Sequence, residues 1–336
     1  MTATAAAIPM KGRARWLRGG PRSNRIAYLY LIPAVLVMGI ITLYPLLFQV
    51  WMSFTNYGLG NLRQGAPAPD MVGLKNYVDV LTSALNIPNF FFVRLILYNL
   101  WWALSNVVIH VVLGVAIAVV LNTRGLWFKR FYRAMFIIPV IIPPIIVATV
   151  WKNMYDPNDG AINLVLAGAG KFLGLPADMF QIDWLRQVND PFPPLPLAFY
   201  AMLVTNTWLG WPLNAVVATG ALQSIPNELY EAAEIDGASA WQKFRYVTLA
   251  YLRPAMVPYA MYGFVITFNL FHLSYFMSGG GPFGRTELLV TQAYRLVNEQ
   301  HLYAVGAAFS VIMFFILLAI TLVTNRVAKA TQTYSL

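Results

Sequence analysis

The run Leu95-Ile-Leu-Tyr-Asn-Leu-Trp-Trp-Ala-Leu-Ser-Asn-Val-Val-Ile-His-Val-Val-Leu-Gly-Val-Ala-Ile-Ala-Val-Val-Leu121 contains no Asp, Glu, Lys or Arg. Crossing a bilayer core takes about 20 apolar residues in a helix, and this stretch exceeds that. Backbone groups in lipid must pair within the segment, so the run reads as a membrane helix. Five more charge-free windows share its character: Ile26–Val50, Ala134–Trp151, Leu197–Val217, Ala255–Met277 and Leu302–Asn325. The expected fold is therefore all-α and polytopic, with six transmembrane helices. Composition agrees: 59% of the 336 residues are hydrophobic and 11% charged, against roughly 25% charged in soluble domains.

The charges that remain are segregated. Lys11, Arg13, Arg15, Arg18, Arg22 and Arg25 precede the first window, and Arg124, Lys129, Arg130 and Arg133 crowd the connection between the second and third. The positive-inside rule puts both segments in the cytoplasm. An even span count then places the C-terminus there too, with Arg326 and Lys329. The connection after the third window is proline-rich and acidic (Asp156, Asp159, Asp178, Asp183, Asp190), as expected of an external loop. The implied organisation is a basic cytoplasmic segment 1–25, a membrane domain 26–326 and a cytoplasmic tail 327–336. The first apolar stretch is too long for a signal peptide and lacks a small-residue cleavage site, so it is expected to remain attached. A net charge of +10 suggests nucleic acid only until its location is noted: the basic residues flank apolar spans, and no nucleic-acid partner is expected. With no cysteine, thiolate metal sites, disulfides and a cysteine nucleophile are excluded.

The six windows hold no acid, lysine or arginine, and of the histidines only His110 and His272. An intramembrane enzyme has little to work with there. Asn99, Asn106 and His110 fall on one helical stripe, which favours hydrogen bonds to other helices over a proton relay. Gly170-Lys171 looks like a phosphate loop, but Val165 and Phe172 stand where that pattern needs Gly and Ser or Thr. No nucleotide, cofactor or metal is expected on this chain, so energy for uphill transport must come from a partner. Pro139, Pro143 and Pro144 must kink or split the third window. Such a bend borders a cavity or gate, or is simply accommodated by its neighbours.

One cytoplasmic segment is built for that partner. Between the fourth and fifth windows, at about 222–254, the chain reads Leu222-Gln-Ser-Ile-Pro-Asn-Glu-Leu-Tyr-Glu231-Ala232-Ala233-Glu234-Ile-Asp236-Gly237-Ala238-Ser-Ala-Trp241. Ser224 and Pro226 suit a helix start and Gly237 a stop. A second amphipathic run follows with Trp241, Phe244, Thr248 and Leu249 beside Lys243, Arg245 and Arg253, and Pro254 marks entry into the fifth window. Two short helices hinged at Gly237 would form an angled bracket. An interfacial pair lying on lipid is the alternative, opposed in the first half by its acids.

Glu231-Ala232-Ala233, Asp236-Gly237-Ala238, Phe244 and Leu249–Pro254 resemble the EAA loop of permease subunits in binding-protein-dependent ABC importers. The family's loop supplies coupling helices that sit in a cleft of the ATPase, where the Glu matching Glu231 makes a polar contact. Ala250 departs from the usual Leu-Pro and puts the bend of the second helix in question. Phe54-Thr-Asn-Tyr57, Gly73-Leu-Lys-Asn-Tyr77, Asn206-Thr-Trp-Leu-Gly210 and Ser278-Gly-Gly-Gly-Pro282 extend the resemblance from about Ile26 to Arg326. They are similar to the carbohydrate branch, and to the MalF-type subunit of maltodextrin importers. A large external insertion found in some of those is missing. The resemblance implies a type I ABC importer permease fold in the inner membrane. It implies as partners a second, MalG-like permease, a MalK-like ATPase dimer that binds ATP and Mg, and an extracytoplasmic sugar-binding protein. It also carries sugar contact over to Asn206, Leu209 and Gly210, and more weakly to Asn269. Leu213 stands where the maltose-specific version has tyrosine.

Sugars need hydroxyl partners and aromatic faces together, and the fourth window offers both. The same Asn and Trp also serve as helix ties and interface anchors, so that reading stays open. Three competitors remain: a permease for another sugar or a glycerol phosphodiester, an intramembrane enzyme, and a scaffold that only recruits an ATPase.

Overall fold

The computed structural model describes residues 21–123, 125–188 and 195–328. The basic residues Lys11, Arg13, Arg15, Arg18, Arg124 and Lys329, and the acidic Asp190, lie outside the described residues, as does most of the expected N-terminal segment and tail. The chain divides into two compact units, Met1–Met52 and Ser53–Leu336.

In the first unit, α1 (Pro21–Met38) passes through a π-type turn at Gly39–Leu43 into α2 (Tyr44–Ser53). Tyr28–Ser53 is one apolar helical run of 26 residues. Most of its side chains, including Tyr30, Ile40 and Leu47, are exposed, and Ser53 at its end is buried.

The second unit opens with a clamp made from two of the sequence motifs. The buried Asn76 amide donates to the carbonyls of Ser53 at 2.9 Å and Thr55 at 2.8 Å, while the Ser53 and Tyr77 hydroxyls meet at 2.6 Å. A lone antiparallel bridge, Thr55 to Met71, is the nearest approach to a strand among the described residues. Helices then follow: α3 (Lys75–Leu81), α4 (Phe92–Asn122), α5 (Lys129–Ile141), α6 (Pro144–Met154), α7 (Ala161–Phe172), α8 (Leu197–Gln223), α9 (Asn227–Ile235), α10 (Ala240–Gln242), α11 (Leu249–Phe268), α12 (Leu289–Asn298) and α13 (Tyr303–Ala328).

The axis of this unit is α4. Its 31 residues span about 46 Å at 1.5 Å each, and α8 and α11 pack along it. Three apolar clusters follow its length. Near the start, Tyr98 and Trp102 set their rings edge-on to Phe199, both at 6.0 Å, over Met202, Leu273 and Met277. On another face Phe92 and Leu95 join Phe268, Leu289, Leu296 and Phe309. At the far end Ala118 meets Ala218, Leu222, Leu252 and Met256. Small residues there let the backbones approach closely, which is how helices gain packing energy in lipid.

The fold is all-helical as expected, but the six-span count is only approached. Among the described residues, four helical runs are long and apolar enough to cross a membrane: Tyr28–Ser53, Phe92–Asn122, Ala240–Ser278 and Tyr303–Arg326. The third window is split by its prolines into α5 and α6, bent by 96°, and counts as a fifth only if both halves belong to one span. The window Leu197–Val217 lies within α8, which is 27 residues long. Its length suffices, yet Asn206, Asn214, Pro212 and several indoles make it less apolar than a lipid-facing span.

Two local expectations also change. The second half of the bracket is not a separate short helix, because α10 continues through a π-type turn at Lys243–Thr248 directly into α11. Pro254 lies inside that helix rather than at its start, and Ala250, with its backbone N–H intact, leaves the ladder uninterrupted. The fifth window in turn is broken near its outer third: α11 stops at Phe268, and helical geometry returns at Leu273–Ser278. Gly170 and Lys171 sit within α7, where a side chain on Gly170 would strike the Phe180 ring. They form helix, not a phosphate loop.

Candidate functional site

The polar stripe on α4 ties three elements together. Asn99, fully buried, donates to the Phe268 carbonyl at 3.1 Å and accepts from the Leu289 N–H at 2.9 Å. It therefore satisfies the backbone where α11 ends and where α12 begins. Two turns on, the Asn106 amide donates to the Trp102 carbonyl and its oxygen accepts from Asn206 at 2.7 Å. His110 Nε2 lies 2.9 Å from the Asn206 carbonyl oxygen. The expected interhelical role of the stripe is what the geometry displays.

Beside this network is a cavity of about 280 Å³. Asn206, Leu209 and Gly210 line it from α8, together with Leu213 and Asn214. The split between α5 and α6 contributes Pro139, Ile142 and Pro144, so the break borders a cavity. Across from them stand Tyr259, Tyr262, Thr267 and, after the α11 break, His272. The His272 Nε2 atom is buried there without a hydrogen-bond partner. Gly210 has a steric reason: a Cβ at that position would overlap the His110 ring. The lining thus mixes amides, imidazoles and a threonine hydroxyl with two phenol rings and apolar walls.

Of the four candidate sugar contacts, the structure brings Asn206, Leu209 and Gly210 to one cavity. Asn269 lies outside the lining: it is exposed and its amide folds back onto the Val265 carbonyl at 3.0 Å. Its neighbours Thr267 and Leu270 line the cavity instead. Sequence reading missed Tyr259 and Tyr262, whose three-residue spacing, continued at Ile266, marks one helical face. It also left His272 without a place.

At the far end of α4, α9 presents Glu231, Ala232, Glu234, Asp236 and Gly237 to solvent, with Ala233 half-buried. Gly237 adopts φ +76°, the left-handed region that ends helices readily when the residue is glycine. The helix is held from beneath: Ile225, Leu229 and Tyr230 pack on the Leu222–Leu252 cluster, and the Tyr230 hydroxyl meets Thr248 Oγ1 at 3.0 Å. Lys243 bridges to Glu234 at 3.3 Å. What remains outward is an acidic helix edge beside Ile235, Trp241 and Tyr246, which are 87%, 65% and 67% exposed. Large apolar groups rimmed by charge in this way mark a contact surface.

Residues 110–332, which include the cavity lining from His110 onward and the whole α9 bracket, match the family described as "Binding-protein-dependent transport system inner membrane component". The chain belongs to that family. The family's relatives are membrane permease subunits, in which a partner ATPase hydrolyses ATP and the permease carries out no bond chemistry. The galactooligosaccharides permease GanP of Bacillus subtilis is 31% identical over 89% of this chain and 69% of its own length. The maltodextrin permease MalC of Streptococcus pneumoniae is 31% identical over 95% and 73%. The trehalose/maltose permease MalF of Thermococcus litoralis is 28% identical over 92% and 95%. Among solved structures, a bacterial ABC transporter involved in alginate import superposes with a TM-score of 0.73 at 18% identity, over 93% of this chain and 98% of the other. That likeness assigns the fold, the type I importer permease, to this family member.

Proposed function

We propose that this chain is a MalF-like permease of an ABC importer that moves a neutral oligosaccharide, a maltodextrin or another α-glucoside, across the inner membrane of a bacterium or archaeon. The observation that carries the reading is the cavity at the α5–α6 break, where Asn206, Asn214 and Thr267 converge with Tyr259 and Tyr262. Amides and hydroxyls satisfy sugar oxygens while phenol faces cover the ring C–H surface, the combination a membrane sugar site requires. The names of GanP, MalC and MalF support the substrate class. They also keep galactooligosaccharides on the panel to be tested.

The importer consists of this chain, a second MalG-like permease, a MalK-like ATPase dimer holding ATP and Mg, and an extracytoplasmic sugar-binding protein. Both termini lie in the cytoplasm, so α9 faces the ATPase. Glu231, Ala232, Ala233, Asp236 and Gly237 form the coupling surface seated in its cleft. ATP closes the ATPase dimer, the bracket follows, and the helices around the cavity exchange outward for inward access. Only a state-dependent affinity can drive that exchange, and here it resides in the ATPase, transmitted through α9.

The test is uptake of labelled maltotriose and a galactotriose by the assembled complex. Asn206→Ala is expected to abolish uptake with the complex still assembled. Asn106→Ala removes the same side-chain hydrogen bond without touching the cavity lining and serves as the packing control. Normal uptake by Asn206→Ala, or equal loss in both variants, would remove Asn206 from the sugar site.

A further inference from the structure

A second cavity, also of about 280 Å³, opens at the Phe92 end of α4 between the Ile87–Leu95 segment, the Gly279–Gly284 turn and α12. It shares no lining residue with the Asn206 cavity. Two of its amides are incomplete: Gln292 Nε2, on a residue only 8% exposed, and Gln300 Oε1 are buried with no hydrogen-bond partner. One is a donor and the other an acceptor, and burying either unpaired is costly. At about 30 Å³ per water the space far exceeds what one bridging water would fill.

The carboxylates around it are already matched. Arg295 spends its guanidinium on Glu287 at 3.1 Å, on Glu299 at 2.9 Å and on the Gly279 carbonyl at 3.0 Å. The Gly279–Gly280 turn permits this, with φ of +62° and +76°, and a Cβ on Gly280 would collide with Glu287. Arg94 lies over the Phe91 ring at 5.6 Å. A phosphate or carboxylate would meet the charges of Glu287 and Glu299, and an ionised carboxylate could give Gln300 no proton. A hydroxyl can accept from Gln292 or donate to Gln300, and a sugar unit carries several hydroxyls. At the rim Phe91 and Phe283, 59% and 63% exposed, offer faces for an apolar ring surface.

We propose that this cavity is a second binding site, for one unit of a neutral sugar, at the end of the permease opposite the docking loop. In the orientation given above it lies on the external side, where sugar arrives. The choice of sugar as occupant rests on the proposed function; the presence of a site for a neutral hydroxyl-rich ligand rests on the two unpaired amides.

The experiment is equilibrium binding of tritiated maltotriose and galactotriose to the full permease complex in nanodiscs, without the binding protein. Two sites are expected for the transported sugar. The Gln292→Leu/Gln300→Leu variant weakens one by about tenfold or more and leaves the Asn206-dependent site intact. Phe283→Ala, at an exposed rim position, weakens the same site. Unchanged binding at both sites in either variant overturns the proposal. In a parallel titration with the sugar-binding protein, a double variant that binds both sugars normally and loses affinity only for that protein also overturns it, making the cavity a protein-docking pocket. Sugar-stimulated ATP hydrolysis with a single, Asn206-dependent site removes the outer site alone. No sugar binding at either site and no stimulation overturns the importer reading as well.

Discussion

At the residue scale, Asn99 does the work of two backbone partners, bonding the Phe268 carbonyl and the Leu289 N–H from a fully buried position. Asn99→Leu keeps the volume and strands both groups, at about 1–3 kcal/mol each. A lower denaturation midpoint of the detergent-solubilised complex, with no change in α4 helicity, is the expected result. Gly210 and His110 form a second pair. Gly210→Ala is expected to displace the imidazole and break its bond to the Asn206 carbonyl, while adding His110→Ala relieves the clash. A double-mutant cycle on the unfolding free energy should show coupling of about 0.5–3 kcal/mol. Outside the membrane segments, Asp156 accepts the Asn158 and Asp159 backbone N–H groups at 2.9 and 3.2 Å, and these bonds hold its pKa below the ordinary 3.8. The turn is therefore fully supported above pH 3.8, its unfolded value, and loses support as pH falls through the lower folded value. Amide exchange at Asn158 and Asp159, corrected for intrinsic rates, should stay protected down to that window and rise below it. The type and spacing of Asn99, Asn106 and His110 were legible in the sequence as a helical stripe. Their partners were not, since Asn99 and Leu289 are 190 positions apart and no local pattern records which helix lies opposite.

At the scale of elements, α9 and the α5–α6 break carry the functional argument. The α9 helix could be read directly, because its start, stop and acidic edge depend on local backbone preferences at Pro226 and Gly237. The continuity of α10 into α11 could not, since Pro254 suggests a boundary and only packing against the Leu252–Met256 cluster carries the helix through it. Charge reversal by Glu231→Lys is expected to leave this packing untouched, because the side chain points to solvent. It should reduce sugar-stimulated ATP hydrolysis or release the ATPase, as measured by co-purification and turnover. Full activity would mean that Ala232, Ala233 and the exposed Ile235 suffice for docking. The split at Ile142-Pro143 was expected from its prolines, which remove donors and clash with the preceding turn. That the break faces a cavity rather than lipid was left open by sequence and is answered by Pro139, Ile142 and Pro144 in the lining.

At the scale of the whole molecule, sugar identity is expected to emerge from ATP hydrolysis by the reconstituted importer, titrated with maltodextrins, galactooligosaccharides and charged oligosaccharides. Neutral sugars should stimulate and charged ones should not, because the cavity lining holds no lysine, arginine or carboxylate. By itself the sequence determined the helical membrane class, the proline break between α5 and α6 and the acidic bracket. Each follows from solvent preference or backbone chemistry, which act over a few neighbouring residues. Only the tertiary structure decided that Asn206 and Tyr262 share a cavity while Asn269 does not. It also decided that Asn206 of α8 is bonded to Asn106 and His110 of α4, and that Gln292 and Gln300 each keep an unpaired amide atom at the other end. These facts depend on which faces of distant helices meet; in lipid apolar surface alone favours no register, and close-packed small residues and interhelical hydrogen bonds set it.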